Sequence, residues 1–483
     1  MNVRRLFAGL LLLGLFTMAV RETLDPDMWW HLRAGEYIFQ NGIPKQDIFS
    51  FTVPENRWIT HEWLSEIVMW SVYWVGDFPL LIVIFAGVIA SSFWLVYLRS
   101  SGRPYLAGFV VLLAALASAP LWGARPQMFN LLFTACFIFL IEGFKERKIG
   151  RKVLWLLPIL TIFWANLHSG YLFGIALIAG YIIGESLQQL TNTTGRRGLS
   201  WAAIRWLTLM GGLSFLAAAI NPNGPELWIY PFYTLGSSAM QQYIQEWQSP
   251  DFHRSIYWPF AALVVLGILS WIANRKPPAL TDLLLFSATA LAGLISVRHI
   301  PLFSLLAVPI VSRYWLSALD GTRFYPLFSG QLPVYSSNRR AALNWLLVFL
   351  ALLLSAIWIG RKIQNNDTAV AEKYPVAAVS FLEDSGLSGS NGYNSYHWGG
   401  YLIWRDFPVY IDGRADVYGD EFIFSYLKAF NLTNRWRDPL ENLNIDYVLI
   451  GSTHPLSSLL TEAADWQEVY QDKNAIVFIP AEE

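Results

Sequence analysis

Long apolar runs separated by short polar connections fill the first three quarters of the chain, and the pattern then changes. Runs of the length that crosses a bilayer, about 17–25 residues, fall near 5–22, 79–97, 105–122, 128–144, 153–167, 171–190, 201–220, 257–273, 280–297, 299–317 and 341–360. They predict eleven transmembrane helices, two of them interrupted by Pro158 and Pro301. The first run follows Arg4 and Arg5 and ends in "FTMAVRE", without a small-residue cleavage site, so it reads as an uncleaved anchor. After residue 360 the long runs stop. "YPVAAVSFLEDSG" and "HPLSSLLTEAADW" have a helical pattern, whereas "FPVYID", "IDYVLIGS" and "NAIVFI" read as strands. This predicts a transmembrane domain over 1–360, a linker over 361–373 and a small α/β domain over 374–483.

The connections alternate in charge. "MNVRR", "RSSGRP", "KERKIGRK", "TNTTGRRG", "NRKPPA" and "SSNRR" are rich in Lys and Arg. The alternate set, 23–78, 123–127, 166–170, 221–256 and the break at Arg298, is long or poor in basic residues. Basic short loops stay in the cytoplasm. The N-terminus is therefore expected inside and the tail outside. Every polar cluster of chemical interest falls on the outer set: "DPDMWWH", "THEWLSE", "ARPQ", "NLHSG", "NPNG", "IQEWQSPDF" and "VRH". The inner connections show only basic anchors. One-sided clustering predicts a site that opens outward at the level of the headgroups.

Composition agrees. The chain is 54% hydrophobic and 14% charged, against roughly 25% charged in soluble domains. Its 23 Trp suit many membrane interfaces. A net charge of −1 gives no bulk attraction to nucleic acid. The single cysteine, Cys136, lies in an apolar run and excludes an internal disulfide or a cysteine metal cluster.

The first outer loop, 23–78, is too long for a turn. "DMWWHLRAGEYIFQNG" reads as a helix with Asp27 as N-cap, and "THEWLSEIVMWSVYWV" as a second, interfacial helix capped by Thr60. Between them, "IPKQDIFSFTVPENRW" is irregular. Asp25 and Asp27 flank Pro26, which favours an extended Asp25. The pair has the chemistry to hold a divalent cation, Mg or Mn, or to act as base and orienting group; capping competes as the role of Asp27. His31 and Arg33 follow on the same helix. His61 and Glu62 resemble the start of an HExxH zinc motif, but the second histidine position is Ser65. Glu62 and Glu66 share a helical face, which reads first as a solvated acidic face and second as a contribution to the site.

Other outer residues add to the set. Arg125 can grip a phosphate or snorkel at a helix end. His168 sits at a tight turn with Gly170, and Glu246 lies beside Trp247. Arg298 and His299 break two apolar runs, and Arg298 is the cation best placed to face a phosphate. In the tail, "NSYHWGGYLIWRDFPVYIDGRADVYGD" holds Trp398, Asp412, Arg414 and Asp416. These form either a ligand site at a strand end or an internal Asp–Arg network.

Together, "DPDMWWHLRAGEYIFQNGIPKQDIFSFT", "WITHEWLSE", "ARPQMFN", "WANLHSG", "NPNG", "EWQSPDF" and "NSYHWGGYLIW…VYIDGRADVYG" resemble a family of bacterial membrane proteins of the GT-C glycosyltransferase fold, the RgtA/B/C/D-like kind. The resemblance implies a polytopic enzyme in the bacterial plasma membrane. It would move a sugar from a polyprenyl-phosphate donor to a glycan, lipid or protein acceptor on the outer face. Asp25 or Asp27 would be the acidic residue near the start of the first outer loop. His31, Arg33, His61, Glu62, Arg125, His168, Glu246, Arg298 and His299 would bind substrate or phosphate, and Trp398, Asp412, Arg414 and Asp416 the acceptor. The large tail is not a general feature of that fold. Two other readings stay open: a transporter or flippase of lipid-linked glycans, and a non-catalytic scaffold that presents the tail.

Overall fold

The computed structural model describes residues 1–191, 198–274, 276–330 and 338–481. The basic residues Arg196, Arg197 and Arg275, and the start of the "SSNRR" connection, lie outside the described residues. All eleven apolar segments contain a helix. Among the described residues, six helices are long and apolar enough to cross a membrane: Trp63–Arg99, Gln127–Lys145, Tyr171–Thr191, Ser255–Ile272, Val297–Ala318 and Asn338–Gln364. Three shorter apolar helices accompany them. The chain is a multi-pass membrane protein with a small sheet domain after the bundle.

Helix α1 (Val3–Ala19) leads into α2 (Pro26–Asn41). Asp25, not Asp27, caps α2: its carboxylate accepts the Asp27 N–H at 3.0 Å, and Pro26 takes the first helical position, where no N–H is needed. Asp27 is freed for other contacts. Helix α3 (Trp63–Arg99) joins the predicted interfacial helix to the second span. Gly76 and Asp77 leave helical torsions there, Asp77 at φ 56°, just before Pro79, so the break falls where the pattern put the boundary. Helices α2 and α3 lie in backbone contact. A Cβ on Gly35 would stand 2.1 Å from the Glu66 carbonyl oxygen, so the approach needs glycine.

Helices α4 (Tyr105–Ser118), α5 (Gln127–Lys145), α6 (Leu156–Leu167), α7 (Tyr171–Thr191) and α8 (Trp201–Ala217) continue the bundle. The far end of α5 corrects the one-sided pattern. Glu142, Glu185 and Asp282 are buried there around Lys145 and Arg313. Lys145 Nζ is 3.0 Å from Glu185, and Arg313 pairs with Asp282 at 2.9 Å and with Glu142. The Tyr181 and Tyr314 hydroxyls donate to Glu142 at 2.8 Å and Asp282 at 2.9 Å. Single charges in the end turns of apolar helices barely move a hydropathy average, so the pattern hid them. Breaking such a buried pair leaves an uncompensated ion. Arg313→Ala is expected to cost roughly 3–5 kcal/mol, read as a lower melting temperature in detergent.

The tail sheet runs β1-β2-β4-β3, from β1 (Gly392–Asn394), β2 (Tyr447–Gly451), β3 (Trp466–Gln471) and β4 (Ala475–Pro480). β1 and β2 are parallel and the other pairs antiparallel. "FPVYID" is not a full strand; Val409 makes single bridges to Gly392 and to Ser50 of the first loop. Trp466, expected at a helix end, opens β3. The Ser50 bridge couples loop and tail. Val409 N–H donates to Phe49 O at 3.1 Å, Thr52 Oγ1 to Tyr410 O at 2.8 Å, and Asn56 Nδ2 to Val417 O at 2.8 Å. The tail is thus knitted into the loop that follows α1.

Candidate functional site

The site forms where α2, the start of α3, the α5 entrance and the tail loop 411–416 meet. Arg125 joins two elements. Its Nε lies 3.1 Å from Asp25 Oδ2 and its Nη2 2.5 Å from Glu246 Oε1. Gly123 sits against the same Asp25 oxygen, where a Cβ would be 2.9 Å away. Burial opposes the charge on Arg125, but the Asp25 and Glu246 carboxylates outweigh it and raise its pKa. Glu246 in turn is lowered, burial being overcome first by Arg125 and then by Arg298. Arg125 is therefore held by carboxylates, not open to a phosphate as its sequence position suggested.

Asp27 is partly buried, and its Oδ1 accepts the Trp30 indole N–H at 3.2 Å. The tail loop closes over it: a Cβ on Gly413 would lie 1.9 Å from that oxygen. Burial, followed by the Asp25 charge, pushes Asp27 up to about 7. A carboxylate near 7 has the affinity a general base needs at neutral pH. Gly413→Ala must displace the Asp27 carboxylate. A misplacement of about 1 Å can cost 100-fold in rate. Gly413→Ala is thus expected to lower turnover by about that factor with little change in melting temperature.

Glu62 and Glu66 are not a solvated face. They are 9% and 1% exposed, and histidines surround them. His31 places Nδ1 3.2 Å from Glu66 Oε1 and Nε2 3.6 Å from Glu62 Oε2. His61 Nε2 lies 3.5 Å and His168 Nε2 3.3 Å from Glu62 Oε1. The Gly170 N–H donates to His168 Nδ1 at 2.8 Å, which leaves Nε2 to donate to Glu62. Burial lowers His168 to about 3, so it is neutral. Burial alone would lower His61 too, but the Glu62 carboxylate beside it raises it. Burial would raise Glu62; the His61 charge outweighs it and holds Glu62 well below the usual range. The histidine–glutamate cluster continues into the tail: His61 rests on the Tyr230 ring at 4.4 Å, and the Tyr230 hydroxyl donates to Asp416 at 2.9 Å.

Arg298 is half-buried and stacks on Trp247 at 5.0 Å. It has no carboxylate within ion-pair distance among the described residues. Ser296 Oγ and Val297 N–H donate to Glu246 O at 2.8 Å and Gln248 O at 3.0 Å, which seats Arg298 beside the Glu246 segment.

Several expected residues lie elsewhere. Arg33 pairs with Glu36 and Asp406 at the surface. Asp412 and Arg414 are 0% and 2% exposed and form an internal network. Arg414 binds Asp412 and Asp47 at 2.6 Å each, and Tyr418 donates to Asp412 at 2.7 Å. With both buried, neither reaches an acceptor; the Asp–Arg network is the arrangement found. Trp398 donates to Lys373 O at 3.3 Å, outside this cluster. The His299 Nδ1 is buried without a hydrogen-bond partner. Asp47, Tyr230 and Tyr396, whose hydroxyl donates to the Gly413 carbonyl at 3.4 Å, escaped the sequence reading. Asp47 alone carried a signal, since its carboxylate accepts the Phe49 and Ser50 N–H groups in an Asx-type turn.

The donor set does not fit a divalent ion shared by Asp25 and Asp27. Asp25 Oδ1 caps α2 and its Oδ2 faces Arg125. No group of three or more metal-ligating side chains forms a site among the described residues.

No family model matches the sequence, and no curated protein is similar to it. Solved structures are. The archaeal oligosaccharyltransferase AglB from Archaeoglobus fulgidus, solved with an inhibitory peptide and a dolichol-phosphate, has a TM-score of 0.55 at 12% identity over 92% of this chain and 69% of its own. ArnT from Cupriavidus metallidurans bound to undecaprenyl phosphate has a TM-score of 0.50 at 13% identity over 98% of this chain and 97% of its own. The Archaeoglobus fulgidus oligosaccharyltransferase was also solved with Zn and sulfate, with a TM-score of 0.50. Both proteins have the GT-C glycosyltransferase fold, and at these identities the likeness is one of architecture: this chain is a membrane protein of the GT-C fold.

Proposed function

We propose that the protein is a glycosyltransferase that moves a sugar from a polyprenyl-phosphate donor to an acceptor hydroxyl on the outer face of the bacterial plasma membrane. In this reading the chain crosses eleven times, with the N-terminus inside and the tail outside. The observation that carries it is the meeting of Asp27, the histidine–glutamate cluster and Arg298 at one end of a GT-C fold. Asp27 takes the proton of the acceptor hydroxyl as the oxygen bonds to the sugar C1. The bond from C1 to the phosphate oxygen breaks, and polyprenyl phosphate leaves. Fixed positive charge near the departing phosphate stabilises the transition state; Arg298 supplies such charge from one wall. Arg125 fixes Asp25 and Glu246, and so keeps Asp25 from sharing a proton with Asp27. Asp416 and Tyr230 border the acceptor side with His61.

The test is turnover. Purified protein in lipid is incubated with a panel of polyprenyl-phosphate sugars and a membrane extract that supplies acceptors, and released polyprenyl phosphate is measured. Release on one donor supports the reading; none on any donor overturns it. Transport is the second reading. It asks for polar groups at both bundle ends, and the Glu142–Lys145–Arg313 network supplies them. Those charges are paired with one another, which favours a structural clamp. Movement of a fluorescent lipid-linked glycan across vesicles without sugar release would favour transport.

A further inference from the structure

A cavity of about 840 Å³ opens between α1 and the helix Asn338–Gln364, with neither Arg125 nor Arg298 in its lining. Its lower part is apolar, with Leu10, Leu13, Met18 and Trp358 in the walls. Thr17 and Ser355 bond across it at 2.9 Å. Its upper part is charged: Arg21, Glu22, Asp25, Lys362 and Lys373 line it. The charges do not cancel. Lys362 pairs with Glu22 at 2.8 Å, and Asp25 with Arg125 at 3.1 Å. Arg21 and Lys373 have no carboxylate at ion-pair distance among the described residues. Arg21 faces the Trp122 ring at 5.6 Å, and Lys373 Nζ donates to the Leu24 carbonyl at 2.6 Å. The groove thus combines an apolar trough between two membrane helices with two cations at its head that have no direct carboxylate pair among the described residues. Such a cavity suits an amphiphile with a long hydrocarbon chain and an anionic head.

The head end stops one residue short of the proposed base, at Asp25 and Pro26. Asp25 lines the cavity and its side chain holds the Asp27 N–H at 3.0 Å. We infer that this groove binds the isoprenoid chain of the donor, with Arg21 and Lys373 gripping its phosphate, so that the attached sugar extends toward Asp27. The inference rests on the glycosyltransferase reading, and it moves the main phosphate contact from Arg298 to two residues the sequence pattern did not single out.

The test measures binding, not turnover. Undecaprenyl phosphate is titrated into the full chain in nanodiscs and followed by native mass spectrometry. Arg21→Gln and Lys373→Gln are each expected to weaken binding at least 10-fold. Gly14→Phe fills the groove without touching a charge: Gly14 lines the cavity, and a Cβ there meets nothing within 4 Å. It is expected to weaken binding to a similar degree, which guards against a charge variant that misfolds. Undecaprenol and inorganic phosphate, each alone, are expected to bind at least 10-fold more weakly than the intact lipid phosphate. Wild-type affinity in all three variants overturns the groove, and loss only in Arg298→Gln does so while leaving the transferase reading in place. Equal binding of undecaprenol overturns the phosphate grip. Failure of the wild type to bind undecaprenyl phosphate, or any polyprenyl-phosphate sugar, overturns both.

Discussion

Asp27→Asn will lower transfer by about 100- to 10,000-fold, the range a general base contributes, while the protein keeps its melting temperature or gains slightly. Asparagine preserves the size and the Trp30 hydrogen bond but cannot accept a proton. The pH dependence carries the sign. Asp27 must be ionised to act, and its pKa is pushed up to about 7 by burial and by Asp25. Turnover is therefore expected to be low at pH 5, to rise through a midpoint near 7 and to level off above it. Stability runs the other way. The folded protein binds this proton more tightly than the unfolded chain does, so the contribution of Asp27 is favourable at low pH and fades as pH rises through about 7. Asp27→Asn removes that fall. A variant with unchanged turnover, or a wild-type profile flat from pH 5 to 9, rules out Asp27 as the base. Asp25→Asn is expected to act differently. Asparagine there still caps the helix, but it loses the charge that pairs with Arg125, so its defect includes lost stability.

The second large effect lies away from the chemistry. Arg414→Met should separate tail from loop. Its guanidinium is buried between Asp412 and Asp47, over the Phe49 and Trp58 rings at 4.9 and 4.7 Å. Methionine fills part of the volume but leaves two carboxylates unpaired, at a cost of roughly 3–5 kcal/mol. Limited proteolysis should then cut between 361 and 415 faster than in the wild type. Turnover should fall as well, because Gly413 and Asp416 ride on the same loop. Asp47→Asn together with Arg414→Met should recover part of the loss by removing one stranded charge. Proteolysis and turnover unchanged by Arg414→Met would show that the tail docks without this network.

Much of this architecture was legible in the chain, and the gaps have physical causes. Apolar run length reports helices because the bilayer imposes it, and each expected segment holds one. The break before Pro79 was readable for the same kind of local reason, a missing N–H. Residue type also pointed to Asp27, His61, Glu62, His168 and Arg298, since polar side chains beside apolar runs need partners. Partner identity was not readable. The solvated face expected at Glu62 and Glu66 is a buried cluster because His31 and His168 come from other helices. Arg414 went to Asp47, 367 positions earlier in the chain. Arg21 looked like the flank of an anchor, and only the packing of two helices far apart in sequence makes it line a cavity. Asp25 took the cap from Asp27 because Pro26 fits the first turn, a choice that one residue of register decides.

The bridge from Ser50 to Val409 sets an order of events in synthesis. The helix that bears the proposed base is among the first segments made, whereas the loop that closes over it arrives nearly four hundred residues later. Until residues 409–416 have been made and packed, Asp27 faces an unfinished surface, and the early loop must wait without its bridge partner. Contacts so distant in sequence are slow to form and leave a long interval of exposure. Release of a chain stopped short of the tail would therefore yield a full set of membrane helices in which the proposed base lacks its cover.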